Sequence, residues 1–175
     1  GQVYRTVGFS FVNSVKATAV TQIVLSGTFM FILAASIFGP VGGFIASLFY
    51  TYAPYHALNI YVRGAMNEAW AAVFFPLVFY FSRKLILEKK KRFIVGLAAS
   101  FAGILLSHNP MALTFTPILF LWVLFWILSQ FFFKTKKISF LNFIKSQIKT
   151  VIQLIISGVF AAGLTAFYTL PVLFE

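Results

Sequence analysis

Residues 69–107 read AWAAVFFPLVFYFSRKLILEKKKRFIVGLAASFAGILLS. Two apolar runs flank a polar turn that holds Arg83, Lys84, Glu88, Lys89, Lys90, Lys91 and Arg92. Each run is long enough for a helix, and neither carries a polar face for water. The cations between them seek water and anionic headgroups. The stretch therefore predicts two membrane segments joined by a basic turn.

The same alternation extends in both directions. Eleven of the 14 Lys and Arg fall between Arg83 and Lys149, all in two linkers, Arg83 to Arg92 and Lys134 to Lys149. His56, Arg63, Glu68, His108, Asn109 and Glu175 lie at the other ends of the hydrophobic segments. One side of a membrane is thus basic and chemically plain. The other gathers both His, the lone loop Arg and two of the three acids.

Composition agrees. The chain is 61% hydrophobic, 19% aromatic with 24 Phe, and 10% charged, with a mean hydropathy of +0.94. A soluble domain is about a quarter charged, and a chain of this size cannot hide so much apolar surface in one core. The net charge of +11 does not point to nucleic acid, because the cations sit in clusters between apolar runs. No Cys is present, so disulfide and thiol chemistry are excluded. The first 16 residues carry no charged stretch ahead of an apolar core, so no cleavable signal peptide is read. The chain opens on Gly1 and stops at Glu175 just after an apolar run. The expectation is a single transmembrane domain over residues 1–175, cut from a longer protein.

The expected fold class is all-α, a polytopic transmembrane helix bundle. Six membrane segments are read at about 17–38, 42–53, 69–87, 93–107, 111–133 and 150–174. Gly39-Pro40-Val41-Gly42-Gly43 makes a tight turn after the first, and His108-Asn109-Pro110 breaks the chain before the fifth. The second and fourth fall short of the roughly 20 residues that cross a bilayer. The second is either a tilted span or re-entrant. Ile138, Leu141, Ile144 and Ile148 recur at helical spacing, with Lys145 and Lys149 largely opposite. They predict a basic amphipathic helix over 138–149 on the inner membrane surface. Small residues at Gly42/Ala46, Gly43/Ser47 and Gly158/Ala162 have the spacing that lets helices approach closely.

Orientation follows by counting. The Lys-rich linkers are cytoplasmic. Residues 55–68, the His108-Asn109-Pro110 turn and Glu175 then face outward. If the second segment spans, Lys16 is outside and a helix precedes Gly1. If it is re-entrant, Lys16 is inside and five spans remain.

The densest polar feature runs from Tyr52 to Glu68. Tyr55, His56, Tyr61, Arg63 and Glu68 crowd a linker next to lipid. Arg63 supplies fixed donors suited to phosphate or carboxylate. Glu68 lies one residue beyond the i,i+4 spacing of a helical ion pair, so the two are read as facing different partners. Two readings stand: an anion-binding outer linker, or an interfacial helix with Tyr in the aromatic belt and Arg63 on lipid phosphate. His108-Asn109-Pro110 reads either as a helix stop with Asn in a left-handed cap and a Pro restart, or as a site where His108 binds phosphate, donates a proton or ligates a metal. His56 and His108 with Glu68 or Glu175 form a divalent metal site only if the fold gathers them. Glu175 after Leu170-Pro171-Val172-Leu173-Phe174 reads as a helix stop or as an acid reaching the outer cavity.

Four motifs in order carry a resemblance. They are Tyr52-Ala53-Pro54-Tyr55-His56, Tyr-x-Arg-Gly-Ala-x-x-Glu from Tyr61 to Glu68, Leu106-Ser107-His108-Asn109, and Leu170-Pro-x-Leu-x-Glu175. The chain resembles a family of bacterial multi-spanning membrane proteins labelled "6-pyruvoyl-tetrahydropterin synthase-related", and through it the GT-C superfamily of membrane glycosyltransferases. The label itself misleads, because the chain has no three-His cluster for a soluble pterin enzyme. The resemblance implies a helical enzyme of the bacterial cytoplasmic membrane that uses a polyprenyl-phosphate-linked sugar on the outer face for envelope glycans. It implies that Arg63 and His108 stabilise the departing phosphate and that Glu68 and Glu175 orient acceptor hydroxyls, Arg63 or a divalent ion. It places Tyr55 and Tyr61 against sugar or isoprenoid, with His56 and Asn109 in the same set. GT-C enzymes usually draw their catalytic base from an Asp in the first outer loop. This chain has no Asp, so that loop is expected before Gly1 and no catalytic residue is assigned. The rival readings are a flippase for lipid-linked saccharide and a non-catalytic membrane assembly subunit. Gln22, Gln130 and Gln153 are the nearest polar groups to a transport path, and none is ionisable.

Overall fold

The computed structural model describes residues 1–132 and 140–174. All elements in those residues are helical: α1 (Gln2–Thr6), α2 (Phe11–Thr51), α3 (Pro54–Ala57), a π-helical turn (Leu58–Val62), α4 (Met66–Glu88), α5 (Arg92–Ser107), α6 (Asn109–Phe132) and α7 (Phe140–Phe174). Among the described residues, four helical runs are long and apolar enough to cross a membrane: Phe11–Val62, Met66–Glu88, Asn109–Phe132 and Gln147–Pro171. Helix α5, with 16 residues, is shorter. The chain divides into two compact units, 1–76 and 77–175, with the boundary inside α4 at Pro76.

The first unit is built on a helical hairpin. Ser10 caps α2 by accepting the Asn13 N–H at 3.3 Å. At Gly39 the backbone takes φ 78 and ψ 176, a region open essentially to glycine alone. Pro40 then opens the return arm at its first position, where a missing N–H costs nothing. The arms lie close. A Cβ on Gly27 would meet Thr51 Oγ1 at 2.7 Å, and one on Gly43 would meet Ala35 Cβ at 2.7 Å. Both pairs are symmetric about Gly39, so the arms run antiparallel. The expected turn at Gly39 to Gly43 is thus present, and Gly43 serves close packing as its spacing suggested. The Tyr4 hydroxyl bonds Thr21 and ties α1 to the first arm.

In the second unit, α4 and α6 lie side by side. Phe79 packs on Phe115 at 5.0 Å and on Trp122 at 4.9 Å. Trp122 Nε1–H donates to the Phe79 carbonyl at 3.2 Å. The Arg83 guanidinium lies over the Trp126 ring at 4.4 Å, and Gln130 Nε2–H donates to the Ile86 carbonyl at 3.4 Å. Partner numbers rise together, so α4 and α6 are parallel and α5 returns between them in sequence. The basic turn after α4 and the C-terminal end of α6 therefore share one side. Within that turn Glu88 gathers Lys84 at 2.7 Å, Lys90 at 2.9 Å and Arg92 at 3.9 Å.

The hydrophobic faces point out. In α2 the buried positions include Ser14, Thr18, Gln22 and Ser26, one per turn, while Val12, Val15, Val20 and Val24 are exposed. In α7 the buried stripe is Gln147, Thr150, Gln153, Ser157, Ala161 and Thr165. Ile148, Ile152, Ile155, Val159 and Phe167 are exposed. Lipid supplies no hydrophobic drive toward helix association, so small and polar residues take the contacts.

Two expectations change. No separate amphipathic helix occupies the described part of 138–149; those residues form the first turns of α7. No Gly or Pro interrupts 140–150, so the helix has no reason to break. Its buried face also carries Gln147 and not Ile148. Ile138 and the Lys134 to Lys137 cluster lie outside the described residues. The Gly158/Ala162 pair does not mediate close packing: a Cβ on Gly158 would meet nothing within 4 Å.

Candidate functional site

Residues 50–76 build a polar knot where the hairpin hands over to α4. Ala53 precedes Pro54, which starts α3 at its first turn. The π-helical turn follows, and its wider winding turns Asn59 inward, to 1% exposure. Gly64, at φ 62, then reverses the chain, and α4 begins with Glu68 in its first turn.

That reversal joins Arg63 to Glu68. Arg63 Nη1–H donates to Glu68 Oε2 at 2.8 Å and Nη2–H to Oε1 at 2.9 Å. The expectation that the two face different partners is overturned. The i,i+4 rule presumes one continuous helix, and here Gly64 lies between two helical pieces. Arg63 Nη1 also donates to Asn59 Oδ1 at 3.0 Å. The Tyr55 hydroxyl donates to Glu68 Oε2 at 3.0 Å. Glu68 holds the guanidinium still further toward its protonated form, first by hydrogen bonding and then by charge. The Arg63 side chain is 45% exposed, against 16% for Glu68.

The donor count matters. Both Nη1 hydrogens and one Nη2 hydrogen are engaged. The Nε–H and the second Nη2–H lie along the other edge of the planar group and take no part in these three bonds, and the Tyr55 hydroxyl also acts on the guanidinium. Glu68 and Asn59 thus orient the group while leaving a second two-pronged edge open. That edge matches a carboxylate or phosphate oxygen pair. The N-terminus of α4 adds partial positive charge beside it.

The other predicted residues have roles of their own within each unit. His56 is buried, with its ring edge-on to Tyr50 at 5.1 Å. It supports the knot from beneath. Tyr61 is 78% exposed and fits the membrane-interface role of an amphipathic aromatic. In the second unit His108 is a joint. Its extended backbone, φ −163 and ψ 105, ends α5, and its Nδ1 accepts the Met111 N–H at 3.3 Å to cap α6. The expected left-handed Asn109 is replaced by this histidine cap; the one non-glycine residue at positive φ among the described residues is Lys89. Asn109 begins α6 with its Oδ1 buried and without a hydrogen-bond partner. Glu175 lies outside the described residues. No group of three His, Cys, Asp or Glu that could hold a metal forms among the described residues.

Two contributors escaped the sequence reading. Asn59 sits four residues before Arg63, a spacing that signals a helical pair. Tyr50 carries no local signal. Pro76 cannot donate to the carbonyl of Ala72, one turn back. The Tyr50 hydroxyl donates to that carbonyl at 2.7 Å, which ties the return arm of the hairpin to α4. No family model, curated protein or solved structure matches the chain.

Proposed function

We propose that the chain is part of a GT-C-like integral membrane glycosyltransferase of the bacterial cytoplasmic membrane. It handles a polyprenyl-phosphate-linked sugar on the non-cytoplasmic face for envelope glycan synthesis or modification. The observation that supports this best is the Arg63 edge left open by Glu68 and Asn59. A lipid-linked phosphate at the membrane surface is an oxyanion of the right shape, and Arg63 stabilises it as it leaves the anomeric carbon.

Glu68 acts through Arg63 as a positioning residue, not as an orienter of acceptor hydroxyls, because its two oxygens already serve Arg63 and Tyr55. Asn59 joins it in that role. In the second unit His108 Nδ1 holds the α6 cap, which leaves Nε2 for a contact of its own. No residue of this chain is assigned as the base that deprotonates the acceptor, since it has no Asp, the residue type that the GT-C resemblance implies for that role.

Arg63→Lys in the natural protein tests the proposal. A cation that only anchors the linker on headgroups is replaceable by Lys. A two-pronged phosphate clamp is not. Sugar transfer from a polyprenyl-phosphate donor should fall about 10²- to 10³-fold, the usual cost of one transition-state donor, with expression and insertion near normal. Activity near that of the natural protein in Arg63→Lys refutes the assignment.

A further inference from the structure

The second unit holds a cavity of about 430 Å³ between its helices, lined by Ser82, Leu97, Phe101, Thr116, Leu119 and Gly158 among others. Its polar lining residues offer no handle. Ser82 Oγ donates to the Phe79 carbonyl at 3.1 Å, Thr116 Oγ1 to Ala112 at 2.7 Å and Ser157 Oγ to Gln153 at 2.8 Å. Each hydroxyl is turned back onto its own helix, so the wall presents carbon. No charged residue lines it. A site of this kind takes hydrocarbon and leaves the headgroup elsewhere.

The helix ends say where. Ser82 and Leu97 lie about 8 Å along their helices from Glu88 and Arg92, at 1.5 Å per residue. Thr116 lies about 24 Å from the same end of α6. The cavity therefore runs over roughly 16 Å of depth, about one leaflet of a hydrocarbon core some 30 Å thick. The turn at its mouth carries six cations against one carboxylate between Arg83 and Arg92. Lys90, Lys91 and Arg92 are exposed there, and the Lys90 and Arg92 side chains are 57% and 69% exposed. Glu88 neutralises only part of that charge. Basic turns between membrane helices hold anionic headgroups.

We infer that the second unit binds one anionic diacyl phospholipid, with its phosphate on the α4–α5 turn and one acyl chain in the cavity. The site uses residues of the second unit alone and does not depend on the proposed transferase activity. Native mass spectrometry of the full chain, carrying mixed phosphatidylglycerol and phosphatidylcholine of equal chain length, tests it. Phosphatidylglycerol should be retained preferentially, by about fivefold for each cation engaged. Lys90→Gln with Arg92→Gln should erase the preference. Gly158→Leu should evict both lipids, because it fills open space. A phospholipid with a photoreactive group at mid-chain should label Phe101 or Leu119 in the unaltered chain above lipid-exposed Leu113. Equal retention of the two lipids, unchanged retention in Gly158→Leu, no labelling above Leu113, or displacement by equimolar polyprenyl phosphate would each overturn the inference.

Discussion

Replacing Tyr50 by Phe should destabilise the protein by about 1 kcal/mol, and replacing Pro76 by Ala should remove most of that cost. One carbonyl links the two residues. Inside a helix the N–H of residue 76 would donate to the carbonyl of residue 72. Pro76 has no N–H. Ala72 is 4% exposed, so its carbonyl has no access to water, and Tyr50 supplies the donor at 2.7 Å. A buried carbonyl left unpaired costs about 1–3 kcal/mol, while hydrogen bonds in a membrane setting average about 0.6 and reach about 1.7 kcal/mol. The membrane figure governs here, because the unfolded reference also finds partners. About 1 kcal/mol corresponds to a fivefold shift in the folded-to-unfolded ratio.

Pro76→Ala restores the helical donor. It also opens space, since Pro76 is among the fully buried side chains, so the single variant is itself expected to be less stable. The double-mutant cycle cancels that loss and isolates the coupling. Equilibrium unfolding in mixed detergent micelles, followed by tryptophan fluorescence, measures all four corners. A Tyr50→Phe cost of the same size in both backgrounds would show that the hydroxyl does not serve the carbonyl freed by the proline.

Gly39→Ala should cost about 1–3 kcal/mol, because φ 78 with ψ 176 is closed to residues with a Cβ; a stability equal to that of the natural chain would deny the hairpin turn. Gly43→Leu should separate the hairpin arms, since even a Cβ meets Ala35 at 2.7 Å, and a disulfide engineered between Gly27→Cys and Thr51→Cys should form only without it. Orientation is read by impermeant thiol labelling in intact cells: Tyr61→Cys should react and Lys90→Cys should not, and the reverse pattern would move the site to the cytoplasm. Glu68→Gln should lower transfer less than Arg63→Lys does and raise KM for the lipid-linked donor, because it loosens the clamp without deleting it; a loss larger than that of Arg63→Lys would give Glu68 a direct role.

Helix positions were legible because lipid leaves a coarse signal. Apolar length, the Gly39-Pro40 break and the cation clusters are each local in sequence. The π-helical turn and the Gly64 reversal were not legible, and they decide the site. The π-helical turn carries Asn59 and Arg63, which meet at ordinary four-residue spacing, and one glycine at positive φ brings Glu68 back to them. Spacing rules assume that the backbone between two residues is regular. They fail where a functional knot is made from irregular backbone. The amphipathic reading of 138–149 erred for another reason: nothing in 140–150 ends the helix, which runs on as α7 with Gln147 and Thr150 turned inward and Ile148 outward.

That inversion reaches beyond α7. Gln22 is fully buried in α2 with neither amide atom paired, and the Gln153 carbonyl oxygen is buried and unpaired in α7. A water-soluble fold spends its interior on large apolar side chains and would be weakened by such groups. In lipid the alternative to burial is hydrocarbon, which solvates an amide worse than another helix does. The buried polar stripes of α2 and α7 are therefore not failed cores. They hold only neutral groups, whereas a path for an ion or proton needs ionisable ones near the midplane. The chemistry that distinguishes this chain sits at helix ends, where Arg63 keeps its charge in reach of both water and lipid.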